Sequence, residues 1–382
     1  MDTLDTRDDL FADAAGPLLR DQCSAGQVRA IEAGGSPRAL WTHLENAGFA
    51  DALLPEDQGG AGLSLAQVFA VWELCGAHHL PVPLAETMVA RALLAQAGCA
   101  AAAGGSITLA QGRVDAAGGL HCANASLGRV ADAALVQHAG GWQLLPVAQA
   151  RAEPAAFCLD AHLHWSAAQV AAAPLLPLVL RHGLDLRTLQ ACLTAALLSG
   201  NLASVLLRTL EYANTRQQFG RPIGKFQAIQ HQLAVMSEHV CAARMAAQLG
   251  CQSADWLPER LRVAVAKART SQAALAVAEA SHAIHGAIGF TQECDLQLFT
   301  RRLHAWRQTA GSESFWHAVA GAALVDQHQG LTLDLLRATT DVTVPSRSSA
   351  ATPRPCEIPA APQAPGPGVD EGPGGGRPGG HA

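Results

Sequence analysis

The sequence predicts a mainly α-helical protein with a small β domain in its middle. Three observations carry this expectation. Long apolar-periodic runs fill the first hundred or so positions and the stretch from about 184 to 330, with a helical repeat of three and four. Between them the texture changes to short runs separated by glycine pairs. Composition agrees, since 49% of the 382 residues are hydrophobic and only 15% charged, with an alanine excess that suits closely packed helices.

The first expected domain, residues 1–103, is helical. Leu40, Trp41, Leu44 and Ala47 form one stripe, which ends at Gly48. Leu53 to Ser64 is a glycine-rich turn, and Ser64 caps a helix whose apolar face is Val68, Val71, Trp72 and Cys75. The middle domain is expected over 104–178. Ser106–Leu109, Ala134–Val136 and Trp142–Val147, with turns at Gly118-Gly119 and Gly140-Gly141, signal a small antiparallel β unit.

The third domain, 179–335, reads as a helical bundle. Asp185 caps a helix with the stripe Leu186, Leu189, Leu193, Leu197 and Gly200, and Arg208 and Glu211 are spaced to pair on its outer face. Two glycines and a proline then fall within five residues, Gly220 to Gly224, through which no helix continues. Periodicity resumes at Phe226, Ile229, Leu233, Met236 and Val240. Two long helices therefore flank a shaped turn bearing Arg216, Gln217, Gln218, Phe219 and Arg221. Gln227–Gln248 and Leu261–His285 read as amphipathic helices joined through Trp256–Glu259. Residues 346–382 are mostly proline, glycine, serine and alanine and are expected to be disordered.

Several function classes are excluded. A net charge of -6 leaves no electrostatic footprint for nucleic acid. No uninterrupted apolar run of about eighteen residues suggests a membrane span, and the start, MDTLDTRDDLFADAAG, is acidic where a signal peptide is basic. Ten cysteines lie without a CxxC pair or zinc spacing, and sixteen histidines are dispersed, so no metal site and no disulfide framework is expected. A cytoplasmic enzyme with reduced thiols fits.

The string Tyr212-Ala213-Asn214-Thr215-Arg216-Gln217-Gln218-Phe219-Gly220-Arg221-Pro222-Ile223, continued by Phe226-Gln227, resembles the flavin-contacting signature of the acyl-CoA dehydrogenase family. It contains the only tyrosine of the chain. The 53–64 loop and Pro81–Thr87 resemble elements of the same family's N-terminal domain. His285-Gly286-Ala287-Ile288-Gly289-Phe290-Thr291 resembles its glycine turn, where backbone approaches the adenine half of FAD in a neighbouring subunit. Ala283 and Ala287 depart there from the usual glutamine and second glycine. The resemblance implies an N-terminal helical domain, a short β-barrel-like domain and a C-terminal four-helix bundle. It also implies FAD as cofactor, held by Arg216, Phe219, Gln227, His285, Gly286, Gly289 and Thr291. The substrate would be an acyl-CoA thioester, and the electron acceptor one such as an electron-transfer flavoprotein.

The family's reaction needs a carboxylate beside the substrate α-carbon. Laid on the family pattern, the commonest base position holds Ala310 and the alternative one holds Gln190, and neither takes a proton. Glu313, one helical turn past Ala310, is the remaining candidate for the catalytic base, with the competing role of starting the helix of Phe315, Trp316 and Val319. Glu293 and Asp295 lie beside the glycine turn and are expected either to be solvated or to pair with Arg301 and Arg302. The middle segment is short and lacks the family's Thr-Glu-Pro and Gly-Ser-Asp strings, Asn124-Ala125-Ser126 being the nearest small polar patch. Two expectations follow: a working FAD-dependent dehydrogenase with a displaced base, or a base-lacking flavin-site subunit of a heteromeric enzyme. Association is expected in both, as a homo-oligomer or with a homologous chain of the paired bacterial subgroup.

Overall fold

The computed structural model describes residues 6–99, 104–181, 183–253, 255–328 and 330–341, so the expected disorder of 346–382 lies outside the described residues. Five helices come first: α1 (Thr6–Gln22), α2 (Ala25–Glu32), α3 (Arg38–Asn46), α4 (Leu65–Ala77) and α5 (Leu84–Gln96). Ser64 caps α4 as the sequence indicates. Its hydroxyl accepts from the Gln67 amide while the Gln67 side chain accepts from the Ser64 amide, which satisfies two orphan donors at once. Helix α5 is buried on nearly every side, as befits a core helix. Its Arg91 is buried but meets Asp51, Glu45 and the Gly105 carbonyl, so its charge is matched.

Six strands follow: β1 (Ile107–Val114), β2 (Leu120–Ala125), β3 (Ala133–His138), β4 (Gly141–Pro146), β5 (Arg151–Pro154) and β6 (Ala161–Trp165). Their order is β4-β3-β1-β2-β6-β5. The expected antiparallel unit is in fact mixed, because β1 and β3 run parallel, Ile107 opposite Ala133. Strand β2 turns back along one edge of β1, and the chain then crosses to the other edge to place β3. Alternate residues Leu120, Cys122, Leu163 and Trp165 are buried in a small core of their own, leaving His121, His162 and His164 on the outer face.

A short helix α6 (Ala167–Ala172) leads to α7 (Leu186–Thr215), capped by Asp185 through the Thr188 amide. Helix α7 is long and apolar enough to cross a membrane, but 78% of its most apolar window is buried within the fold, as in a core helix. A hairpin of β7 (Gln217–Gln218) and β8 (Arg221–Pro222) separates it from α8 (Gln227–Gly250). Then come α9 (Arg260–His285), α10 (Leu296–Gln308), α11 (Glu313–Ala322) and α12 (Thr332–Thr340). The α7–α8 turn and the extents of α8 and α9 match the sequence reading closely.

Helices α4 and α7 touch backbone to backbone where Gly76 meets Gly200. A Cβ on Gly76 would sit 1.9 Å from the Leu197 carbonyl oxygen, and one on Gly200 would sit 1.8 Å from that of Glu73. Hydrogen bonds flank the crossing, from the Ser199 hydroxyl to Glu73 and from the Ser204 hydroxyl to the Ala77 carbonyl. The expected Arg208–Glu211 pair does not form. Arg208 instead reaches Asp295 at 3.6 Å and lies over the Phe299 ring, where stacking adds to the charge contact.

Candidate active site

A cavity of about 670 Å³ opens between the sheet and the helices. Its walls are Leu109 to Gln111 of β1, Ala123 to Ser126 at the end of β2, Phe157 and Asp160 before β6, Arg187 and Gln190 at the start of α7, and Gln308 to Ser312 with Phe315 at the α10–α11 junction. That volume suits a small-molecule site. Both aligned base positions, Gln190 and Ala310, therefore line it, as do Asn124 and Ser126.

The donors and charges of the walls are largely committed. The Gln190 amide donates to the Leu109 carbonyl at 2.9 Å, tying α7 to β1. Arg187 lies over the Phe315 ring at 4.7 Å and is the cation of the lining. Asp160 is the only carboxylate among the described residues of the lining. It accepts from the Leu127 amide at 2.9 Å and from Arg302 at 3.2 Å. Burial pushes its carboxyl above the ordinary range, against the pull of Arg302. Glu86 nearby is fully buried, and desolvation drives it up to about 7.

Glu313 stands outside this lining. Both carboxylate oxygens accept from the Arg307 guanidinium, through Nε at 3.0 Å and through the second nitrogen. That hydrogen bonding holds Glu313 below its ordinary pKa, and the Lys267 charge acts in the same direction. Behind the junction, Lys267 is fully buried and donates to the Ser271 hydroxyl at 2.7 Å and to the Arg307 and Gly311 carbonyls, each at 3.0 Å. Burial lowers it to about 7. Lys267 and Arg307 thus clamp the turn in which Ala310 adopts a left-handed φ of 58°. The sequence hints at Lys267 only as one cation in the alanine-rich face of α9; its partners are not visible there. Glu293 and Asp295 do not pair with Arg301 and Arg302. Asp295 bridges Arg29 and Arg208, Arg301 reaches Glu32, and Arg302 turns inward to Asp160.

The other candidate residues fall in two further places. Arg216, Phe219 and Gln227 are exposed and line neither this cavity nor the next. Phe219 and Gly220 both have positive φ, 51° and 77°, so they form the two-residue turn of the β7–β8 hairpin. An aromatic in that position is strained, and this one is 90% exposed, so no burial within the chain accounts for it. Arg221 stacks over Phe226 at 4.2 Å and braces the hairpin. A shallower cavity of about 330 Å³ brings Tyr212 and Thr215 together with His285 and Ile288. The His285 ring stacks on Tyr212 at 4.2 Å and donates from Nδ1 to the Ser281 carbonyl at 2.9 Å, while burial lowers its pKa. Gly286, at φ 65° and ψ -148°, occupies a region open essentially to glycine alone. Gly289 packs closely, since a Cβ there would lie 3.0 Å from the His285 Cβ. The Thr291 hydroxyl donates to the Ile288 carbonyl at 2.9 Å.

Residues 188–323 match the family description "Acyl-CoA dehydrogenase, C-terminal domain". Over 303 residues the chain is 32% identical to acyl-CoA dehydrogenase IpdE2 of Mycobacterium tuberculosis, a match covering 78% of this chain and 91% of that protein. The chain belongs to the acyl-CoA dehydrogenase family. Solved members share the fold. The ChsE4–ChsE5 complex of Mycobacterium tuberculosis superposes with a TM-score of 0.68 at 22% identity, covering 85% of this chain and 99% of that one. Butyryl-CoA dehydrogenase of Megasphaera elsdenii gives 0.69 at 17% identity, covering 85% and 100%. This is an oxidoreductase family that implies FAD, and the donor chemistry of the β7–β8 hairpin fits such a group. Two guanidinium groups and two carboxamides lie at the same hairpin as a solvent-facing phenyl ring, a set suited to a pyrophosphate and a ring system. The glycine turn fits less directly, because Glu293 and Asp295 place negative charge beside it.

Proposed function

We propose that this acyl-CoA dehydrogenase chain is the base-lacking, flavin-site subunit of a heteromeric enzyme that desaturates an acyl-CoA thioester between its α and β carbons. One observation carries the proposal: among the described residues lining the cavity at positions 190 and 310, no carboxylate is free to take a proton. Gln190 and Ala310 are not acids, Asp160 is tied to Arg302, and Glu313 is tied to Arg307 outside the lining. A similar solved structure is that of a two-protein complex, ChsE4–ChsE5, which accords with a paired chain.

The chemistry FAD would supply when bound is a hydride acceptor for the substrate β-carbon. Arg216, Phe219 and Gln227 would hold it from an exposed surface, which suits a cofactor seated in the adjoining subunit. Within the chain, Lys267 and Arg307 fix the α10–α11 turn, and Gln190 fixes α7 against β1. The α-proton goes to a carboxylate of the homologous partner. The reduced enzyme passes electrons to an acceptor such as an electron-transfer flavoprotein, in the cytoplasm.

The test compares the chain purified alone with the chain co-expressed with a homologous dehydrogenase chain, reading flavin absorbance and its bleaching by acyl-CoA thioesters. The expected result is colourless protein alone and a flavinated, bleachable complex. In that complex Arg216→Ala should weaken flavin retention about 10- to 100-fold, the worth of a charged hydrogen bond. Yellow protein that bleaches alone overturns the proposal. Glu313→Gln should leave turnover of the complex unchanged. Removing a true base would cost about 10²–10⁴-fold, and such a loss with flavin retained would identify Glu313 as the base of a self-sufficient enzyme.

A further inference from the structure

On the outer face of the sheet, one turn and two strands bring a carboxylate and two imidazoles together. His121 of β2 and His164 of β6 are direct cross-strand partners. Both lie on the outer face, and their rings are 4.0 Å apart at the centroids. Asp115 sits in the turn joining β1 to β2. Its Oδ1 is held by the amides of Ala117 at 2.8 Å and Gly119 at 2.9 Å. Its Oδ2 is thereby aimed at the pair, 3.0 Å from His121 Nε2 and 3.8 Å from His164 Nε2. The space is kept clear by Gly119, where a Cβ would meet Asp115 Oδ2 at 2.8 Å and His164 Nε2 at 3.0 Å.

We propose that Asp115, His121 and His164 form a surface site for a first-row divalent transition metal of the zinc class. All the ligand atoms lie within 4.8 Å of one another. A tetrahedral zinc ion with bonds of about 2.0–2.1 Å sets its ligands about 3.3 Å apart, so small rotations of two exposed imidazoles complete the geometry. Imidazole ligands select against magnesium and calcium, which take oxygen. Three protein ligands leave a fourth position. It faces an open basin bordered by Arg113, Arg151, Glu153 and His162, which suits water or a small anion. The Arg151 charge is already met by Glu153 at 2.7 Å. Spacing along the chain does not reveal this site, because strand pairing rather than sequence proximity assembles it. Bound metal would staple the β1–β2 turn to β6.

The full chain, stripped with a chelator and desalted, is titrated with zinc sulfate by calorimetry, and retained metal is counted after gel filtration. One equivalent per chain is expected, with no saturable binding of magnesium. Replacement by cobalt(II) should give the visible absorption of a tetrahedral site. His121→Ala, His164→Ala and Asp115→Asn should each weaken binding at least about tenfold, with unchanged far-ultraviolet circular dichroism showing that the variants fold. No stoichiometric zinc, or equal binding by wild type and the His121→Ala/His164→Ala double variant, overturns the site.

Discussion

Gly200→Ala will leave little folded protein. The new methyl group would be centred 1.8 Å from the Glu73 carbonyl oxygen and 2.8 Å from the Ala77 amide nitrogen. Those are backbone atoms of α4, so no rotamer change relieves the clash, and two helices must separate. Ordinary overpacking against side chains costs about 1–3 kcal/mol. A backbone clash at a helix crossing should exceed about 4 kcal/mol, a large share of a domain's whole stability. Gly76→Ala is expected to behave alike, its methyl facing the Leu197 carbonyl at 1.9 Å. The control is Gly321→Ala in α11, where nothing lies within 4 Å of the added carbon. It should be stabilised by about 0.5–1 kcal/mol through helix propensity alone. Soluble yield and urea denaturation read all three, and a Gly200→Ala loss under about 1 kcal/mol would refute the close crossing.

Arg302→Met should cost about 3–5 kcal/mol at neutral pH, the range for breaking a buried ion pair from one side. Arg302 and Asp160 are each 5% exposed, and Arg302 also donates to the Cys158 carbonyl at 3.2 Å. Without the guanidinium, Asp160 would hold an uncompensated charge beside Glu86. The pH dependence has a defined sign. The folded-state pKa of Asp160 already lies above its unfolded value because of burial, and losing Arg302 raises it further. A carboxyl raised on folding gives stability that is present below the unfolded pKa and lost as pH rises through the folded one. The variant should therefore approach wild type in acid and diverge from it toward neutrality. Asp160→Asn added to Arg302→Met should recover much of the loss. Urea denaturation across pH measures this, and a deficit equal at acid and neutral pH would show that lost packing rather than the stranded charge is responsible.

These residues also show what a sequence reveals and what it hides. The α7–turn–α8 unit was legible because Gly220, Pro222 and Gly224 interrupt two strong helical stripes, and each break has a local cause. Ser64 and Asp185 announced their helices because capping involves only the next three residues. Strands β2, β5 and β6 carried no such signal. Leu120–Ala125 and Ala161–Trp165 mix histidine, alanine and asparagine in place of β-branched residues, and only pairing with neighbours makes them strands. The parallel β1–β3 pairing was likewise hidden, being a property of connectivity. At the cavity, Gln190 and Ala310 could be placed by pattern. The Asp160–Arg302 and Lys267 contacts could not, since their partners meet only in the folded chain. Glu313 shows the limit of helical spacing, which brings a side chain near but does not decide its partner. Arg307 does.

The Gly76–Gly200 contact has a consequence for the walls of the cavity. Two main chains in direct contact leave no side-chain cushion to compress, so α4 and α7 cannot part and close like jaws. The floor of the cavity that α7 supplies is anchored to the N-terminal helices as a hub. Its opposite wall is the sheet, joined to the helices by the Gln190 bond to Leu109, by Thr87 at Ile107 and by the buried Arg302–Asp160 pair. The cavity is therefore framed by walls with little freedom to separate, and amide exchange should be slowest at the crossing.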